Sequence, residues 1–206
     1  MRRLACLLLP LLAGWTRLPG VWYPTTPAAP ETVSLAAGRV SFHGFSAVRH
    51  DRAVSAGRDG AWTIAAKVDP VAGDTASLGW VSFMLSAKRD SLGWVTAPEN
   101  AIGVLVRSNG NIQIFARGAE LRPVWAAGPP APSATYAVTL TVRRGSGNDK
   151  RVQRLEGRLN EARFSAELTG AAPDARPLFL AVGAHFHPGD VMASSVDELE
   201  LNGARL

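Results

Sequence analysis

The sequence predicts an all-β domain built as a two-sheet antiparallel β-sandwich, a jelly roll. Three observations predict it. Short segments alternate apolar and polar residues with a period of two, turn-forming residues separate them at short intervals, and no stretch carries a sustained helical period with caps. At 206 residues, 47% hydrophobic and 19% charged, the composition is that of a globular chain, and sandwiches reach this length as one domain.

The N-terminus reads as an export signal. Met1-Arg2-Arg3 supplies a positive start, and the apolar run from Leu4 to Trp15 is too short to span a bilayer as a helix. Residues 1–20 are therefore read as a signal peptide, with cleavage as late as residue 28 if Thr26-Pro27-Ala28 is used. The Pro-, Thr- and Ala-rich residues 21–30 read as a linker, and 31–206 as the domain. Cys6, the only cysteine, lies at the front of the apolar run, so the processed chain has no thiol or disulfide chemistry. The expected destination is the medium, periplasm or cell envelope.

Charge points away from nucleic acid. Losing Arg2, Arg3 and Arg17 with the leader lowers the formal charge of +5 by three, and the remaining basic residues are scattered rather than gathered in a stripe. The pairs Arg143-Arg144 and Lys150-Arg151 flank the turn at 145–149 and read as solvated loop ends.

Along the domain, Trp62, Ile64, Ala66 and Val68 alternate with Thr63, Ala65 and Lys67, the signature of a strand buried on one face. Residues 78–85 are apolar at both parities, as in a central strand covered on both sides. Residues 102–117 read as a hairpin about a two-residue Asn109-Gly110 turn, which sets Leu105 opposite Ile114 and Val104 opposite Phe115. In that register Ile102, Val104, Val106 and Phe115 share one face with Gln113 and Arg117. Leu105, Ile112 and Ile114 share the other with Arg107. Both faces are too apolar for water, so one enters the core and the long loops or a ligand cover the other.

Tyr136, Val138, Leu140 and Val142 mark a further half-buried strand. Leu155, Gly157 and Leu159 lead through Asn160-Glu161 to Phe164, Ala166 and Leu168. Leu178, Leu180, Val182, Ala184 and Phe186 form one face of another strand, and Leu199 and Leu201 one face of the last. Two long loops, Ser86 to Ala101 and Ala119 to Thr135, interrupt the pattern, and loops of this length are often functional.

The C-terminal half resembles a known group. Leu178-Phe-Leu-Ala-Val-Gly-Ala184, followed by Ser195-Val-Asp-Glu-Leu-Glu-Leu201 and Leu206, is similar to the closing strands of laminin-G-like domains in the concanavalin A-like lectin/glucanase superfamily. Tyr136 to Val142 with the Leu159-Asn160 turn resembles the hairpin before them, although Glu161 stands where that group has glycine. The resemblance covers roughly residues 60–206. It implies the sandwich and leaves function open among sugar-binding lectins, adhesion modules, glycoside hydrolases and polysaccharide lyases. It also brings calcium into view, since some laminin-G-like domains hold that ion through loop acids, with Asp190 as a candidate here.

The acidic strand motif of the glucanase branch is absent. Glu198 and Glu200 on the last strand are the nearest candidates for a catalytic pair of the retaining type, and the same alternation equally describes a solvated outer face. His185 and His187, with Asp190 beyond them, form an H-x-H pattern that reads either as part of a transition-metal site or as polar residues at a strand end.

Trp94 and Trp125 lie in the two long loops. Each ring either stacks on a sugar, beside polar groups such as Asn100, Gln113 and Arg117, or folds back to cover the sheet. No nucleophile elbow, P-loop or dinucleotide fingerprint is present. The expectation is an exported, noncatalytic carbohydrate-binding or adhesion-type module acting on a glycan or envelope polysaccharide. The alternatives are a carbohydrate-active enzyme and a structural domain with no small ligand.

Overall fold

A computed structural model of the chain describes residues 22–24, 33–36, 38–42, 46–69, 79–87, 101–108, 110–116, 119–121, 135–144, 152–169, 177–185 and 194–206. The regular elements among them are all strands. They are β1 (Trp22–Pro24), β2 (Val33–Ala36), β3 (Arg39–Phe42), β4 (Ser46–Val54), β5 (Ala61–Asp69), β6 (Trp80–Ser86), β7 (Ala101–Arg107) and β8 (Ile112–Ala116). There follow β9 (Ala119–Leu121), β10 (Tyr136–Arg144), β11 (Val152–Leu159), β12 (Ala162–Thr169), β13 (Leu178–His185), β14 (Ser194–Leu201) and β15 (Ala204–Arg205). All pair antiparallel in two sheets, so the predicted all-β sandwich is what forms.

The seven-stranded sheet runs β1-β4-β13-β6-β7-β8-β9. The eight-stranded sheet runs β12-β11-β10-β5-β14-β3-β2, with β15 on β14. The chain changes sheets at β1–β2, β3–β4, β4–β5 and β5–β6, and later at β9–β10, β12–β13 and β13–β14. The late strands β13 and β14 thereby lie inside sheets begun by early ones, which ties the two ends of the domain together.

Period-two alternation decides what enters the core. Trp62, Ile64, Val68, Val138, Leu140, Leu155, Phe164 and Leu199 of the eight-stranded sheet meet Val81, Phe83, Val104, Ile114, Leu180 and Val182 of the other. Polar atoms carried into this layer find partners. Trp62 Nε1 donates to the Val54 carbonyl (3.0 Å), and Tyr136 Oη donates to the Ser108 carbonyl (3.1 Å), a bond that joins β10 to the end of the opposite sheet.

Three features depart from the sequence reading. Trp22–Pro24, inside the stretch read as linker, pairs with β4 as an edge strand, and β2, β3 and β4 fill residues the patterning left without elements. Ala119–Leu121, inside the second long loop, is the edge strand β9.

The hairpin register also differs by one residue. Val104 lies opposite Ile114, Leu105 opposite Gln113 and Gly103 opposite Phe115. The loop has three residues rather than two: Gly110 N donates to Arg107 O (2.9 Å), Arg107 N donates to Asn111 O (2.9 Å), and Gly110 takes φ +82°. A one-residue slip exchanges faces. Ile112 and Ile114 therefore join Ile102, Val104 and Val106 in the core, and Gln113 lies on the far face with Leu105 and Arg107.

Candidate functional site

The seven-stranded sheet is buried on both sides at its centre. Trp80, Ser82, Met84 and Ser86 alternate with the core residues of β6, and all are closed to solvent. Leu105 on β7 and Ala181 on β13 lie on the same far face and are equally buried. Away from the centre the far face opens at two flanks.

At one flank, Tyr23, Arg49 and Ala181 lie side by side across β1, β4 and β13. The Arg49 guanidinium sits 5.7 Å from the Tyr23 ring centroid and 5.7 Å from that of Phe179, and donates through Nη1 to the His50 carbonyl (2.8 Å). An arginine 7% exposed is costly unless its charge is engaged, and two π-faces with a carbonyl engage it. Tyr23 remains 45% exposed, one of two large apolar side chains so placed among the described residues. It presents an aromatic surface held by the cation behind it.

At the other flank, Gln113 Oε1 accepts from Arg107 Nε (2.9 Å) and from Arg107 Nη2 (2.5 Å). This fork fixes the amide oxygen beside the Arg107 guanidinium. Five strand spacings separate β1 from β8 in the sheet order, roughly 24 Å.

His50 lies behind Arg49 on the core side, buried, with Trp22 edge-on at 5.3 Å and 82°. Burial drives its pKa below the ordinary value near 6.5, against the raising influence of the Arg52 backbone and Asp51. Its Nδ1 accepts from Arg52 N (3.3 Å), as a neutral ring can.

Of the residues singled out from sequence, Gln113 lies on this face. Trp94, Asn100, Arg117, Trp125, His187 and Asp190 fall outside the described residues, so the surface drawn from the two loops is located only through Gln113. His185 closes β13 opposite Trp80. Among the described residues, no three His, Cys, Asp or Glu side chains cluster as metal ligands.

Glu198 and Glu200 lie on the eight-stranded sheet, and regular alternation does not relate them. β14 bulges between Asp197, opposite Lys67, and Glu200, opposite Ala65. Glu198 is inserted with φ +50° and meets Lys67 Nζ at 2.7 Å. Tyr23, Arg49 and Phe179 were missed in the sequence. The strict alternation of Leu178, Leu180 and Val182 was the available signal, since it places Phe179 and Ala181 together on the opposite face.

Comparison with solved structures decides the fold. The carbohydrate recognition domain of Emp46p in its metal-free form superposes with a TM-score of 0.60 at 11% identity, over 91% of this chain and 89% of that one. The chain has the concanavalin A-like fold. A legume lectin-like domain from Entamoeba histolytica shares this concanavalin A-like sandwich with a TM-score of 0.53 at 12% identity, over 87% of this chain and 88% of the other. The alginate lyase Aly36B, as a mutant in complex with alginate tetrasaccharide, does so with a TM-score of 0.53 at 12% identity, over 93% and 96%. No family model and no curated protein matches the concanavalin A-like chain.

Proposed function

We propose that this chain is a noncatalytic carbohydrate-binding module whose saccharide binds at the open, Tyr23-bearing flank of the far face of the seven-stranded sheet. The observation that carries the reading is the Tyr23–Arg49–Phe179 stack, an exposed ring backed by a buried cation on a sheet face that is not the core. Sugars offer apolar C–H faces to aromatic rings and hydroxyls to forked donors and acceptors. The stack supplies the first, and the Arg107–Gln113 pair marks a separate polar flank beyond the closed centre. Support from outside the chain is of fold only: carbohydrate recognition domains and an alginate lyase are built on the same sandwich.

Noncatalytic action is favoured over hydrolysis because Glu198 is engaged by Lys67 in a bulge, on the sheet opposite this face. The chain acts after export, with its leader removed ahead of β1. A glycan array probed with the purified chain tests the reading, followed by size analysis of each bound polysaccharide after incubation. Retention of oligosaccharides at unchanged length is expected. Shortening of the polysaccharide would make the protein an enzyme, and loss of that activity in Glu198→Gln or Glu200→Gln would return those carboxylates to the mechanism.

A further inference from the structure

The solvent face of the eight-stranded sheet carries a second polar surface, on strands that take no part in the site above. Thr139 of β10, Arg158 of β11 and Arg163 of β12 stand in one cross-strand row, and Thr141, Glu156 and Ser165 in the next. Together they line a cleft of about 500 Å³.

Two like-charge pairs face each other across these strands, Arg143 opposite Arg154 and Arg158 opposite Arg163, and each juxtaposition works against strand pairing. The first is compensated on both sides, Arg143 by Asp59 (2.8 Å) and Arg154 by Glu167 (3.2 Å). Among the described residues Arg158 pairs only with Glu161 (3.2 Å), whose side chain is 97% exposed, and an ion pair so open to water binds weakly. Arg163 makes no ion pair or hydrogen bond with the described residues. Two adjacent guanidiniums, one free and one loosely held, form a receptor for a single oxyanion, because each presents forked donors that match carboxylate or sulfate geometry.

We propose that this cleft is a subsite for an acidic polysaccharide, with a uronate carboxylate or sulfate ester bridging Arg158 and Arg163. The flanking groups select a glycan over a polyphosphate. Thr139, Thr141 and Ser165 offer hydroxyls to sugar oxygens. Glu156 accepts sugar hydroxyls and repels the close-spaced charges of nucleic acid. The subsite lies on the opposite sheet from the Tyr23 flank, so either can fail without the other.

Titration of the full chain with alginate, dextran sulfate, neutral dextran and a DNA oligonucleotide, at two salt concentrations, tests the proposal. Alginate separates the carboxylate source from the sulfate source. At least one of the two polyanions should bind, and Arg158→Gln or Arg163→Gln should each weaken it about tenfold, the scale for losing a charge-assisted pair. Arg154→Gln, which removes the same charge from a paired neighbour, should change it less than about twofold. Equal weakening by Arg154→Gln, unchanged affinity in the Arg158→Gln/Arg163→Gln double variant, DNA binding as tight as polysaccharide binding, or no binding to either polyanion would overturn it. Melting curves of each variant ensure that only folded protein is compared.

Discussion

At the scale of single residues, the tightest constraint in the described structure is Gly157. A Cβ there would stand 2.1 Å from Phe164 Cζ, because the Phe164 ring lies across the glycine directly opposite it. Gly157→Ala should therefore destabilise the domain by about 1–3 kcal/mol, the cost of overpacking, in denaturant titration. Combining it with Phe164→Leu should cost less than the two changes summed, because the smaller side chain frees the space. This pairing was legible, since the turn at Asn160-Glu161 places Gly157 and Phe164 in register. His50 was not. Nothing in its sequence neighbourhood shows that Trp22 packs edge-on against the ring. With its folded pKa below the unfolded value near 6.5, the unfolded chain binds more protons once pH falls below that value. Stability should hold above pH 6.5 and fall as pH drops through the window beneath it. His50→Gln should flatten that slope in melting temperatures taken between pH 7.5 and 5.5.

At the scale of elements, two Asn-Gly pairs behave differently, and the difference explains the error in register. Asn202 and Gly203 take φ +53° and +76° and form a two-residue turn joining β14 to β15, the geometry expected for Asn-Gly. Asn202 is held there on both sides: its Oδ1 accepts from Thr63 N (2.8 Å) and its Nδ2 donates to Ser55 O (2.9 Å). Asn202→Ala should cost about 2 kcal/mol, by loss of these bonds and of a side chain that tolerates positive φ. At Gly110 the same dipeptide instead ends a three-residue loop, and the local sequence does not distinguish the two cases; the core does. Only the three-residue loop brings Ile112 and Ile114 to the same side as Val104 and Val106. β1 carries a processing prediction. Cleavage after residue 28 would remove Trp22–Pro24 and with them the Tyr23–Arg49 contact. N-terminal sequencing of protein recovered from the envelope or medium should therefore begin at or before Trp22, and a start at residue 29 would refute this place for β1.

At the scale of the whole molecule, the sandwich was legible because both sheets bury alternate residues against one core, and period two survives in sequence even where homology does not. Leu178–Ala184 and Ser195–Leu201 carried the resemblance, and they prove to be β13 and β14, strands inserted within sheets begun earlier in the chain. Strand order had no such signature. Tyr23 and Phe179 are separated by most of the chain, and only the placing of β4 between β1 and β13 brings both rings to Arg49. The same holds for the Arg158–Arg163 cleft, which needs β10, β11 and β12 side by side. The account stands or falls on whether the far face of the seven-stranded sheet binds sugar. The most direct measurement is the affinity of the full chain and of Tyr23→Ala for the oligosaccharide best retained on a glycan array, taken with the melting temperature of each. The account predicts about a tenfold loss of affinity with the fold retained and only a modest drop in melting, since the exposed ring stacks on the sugar and supplies one of the two π-faces against Arg49. Unaltered affinity in a folded Tyr23→Ala, or no retained glycan at all, would contradict it.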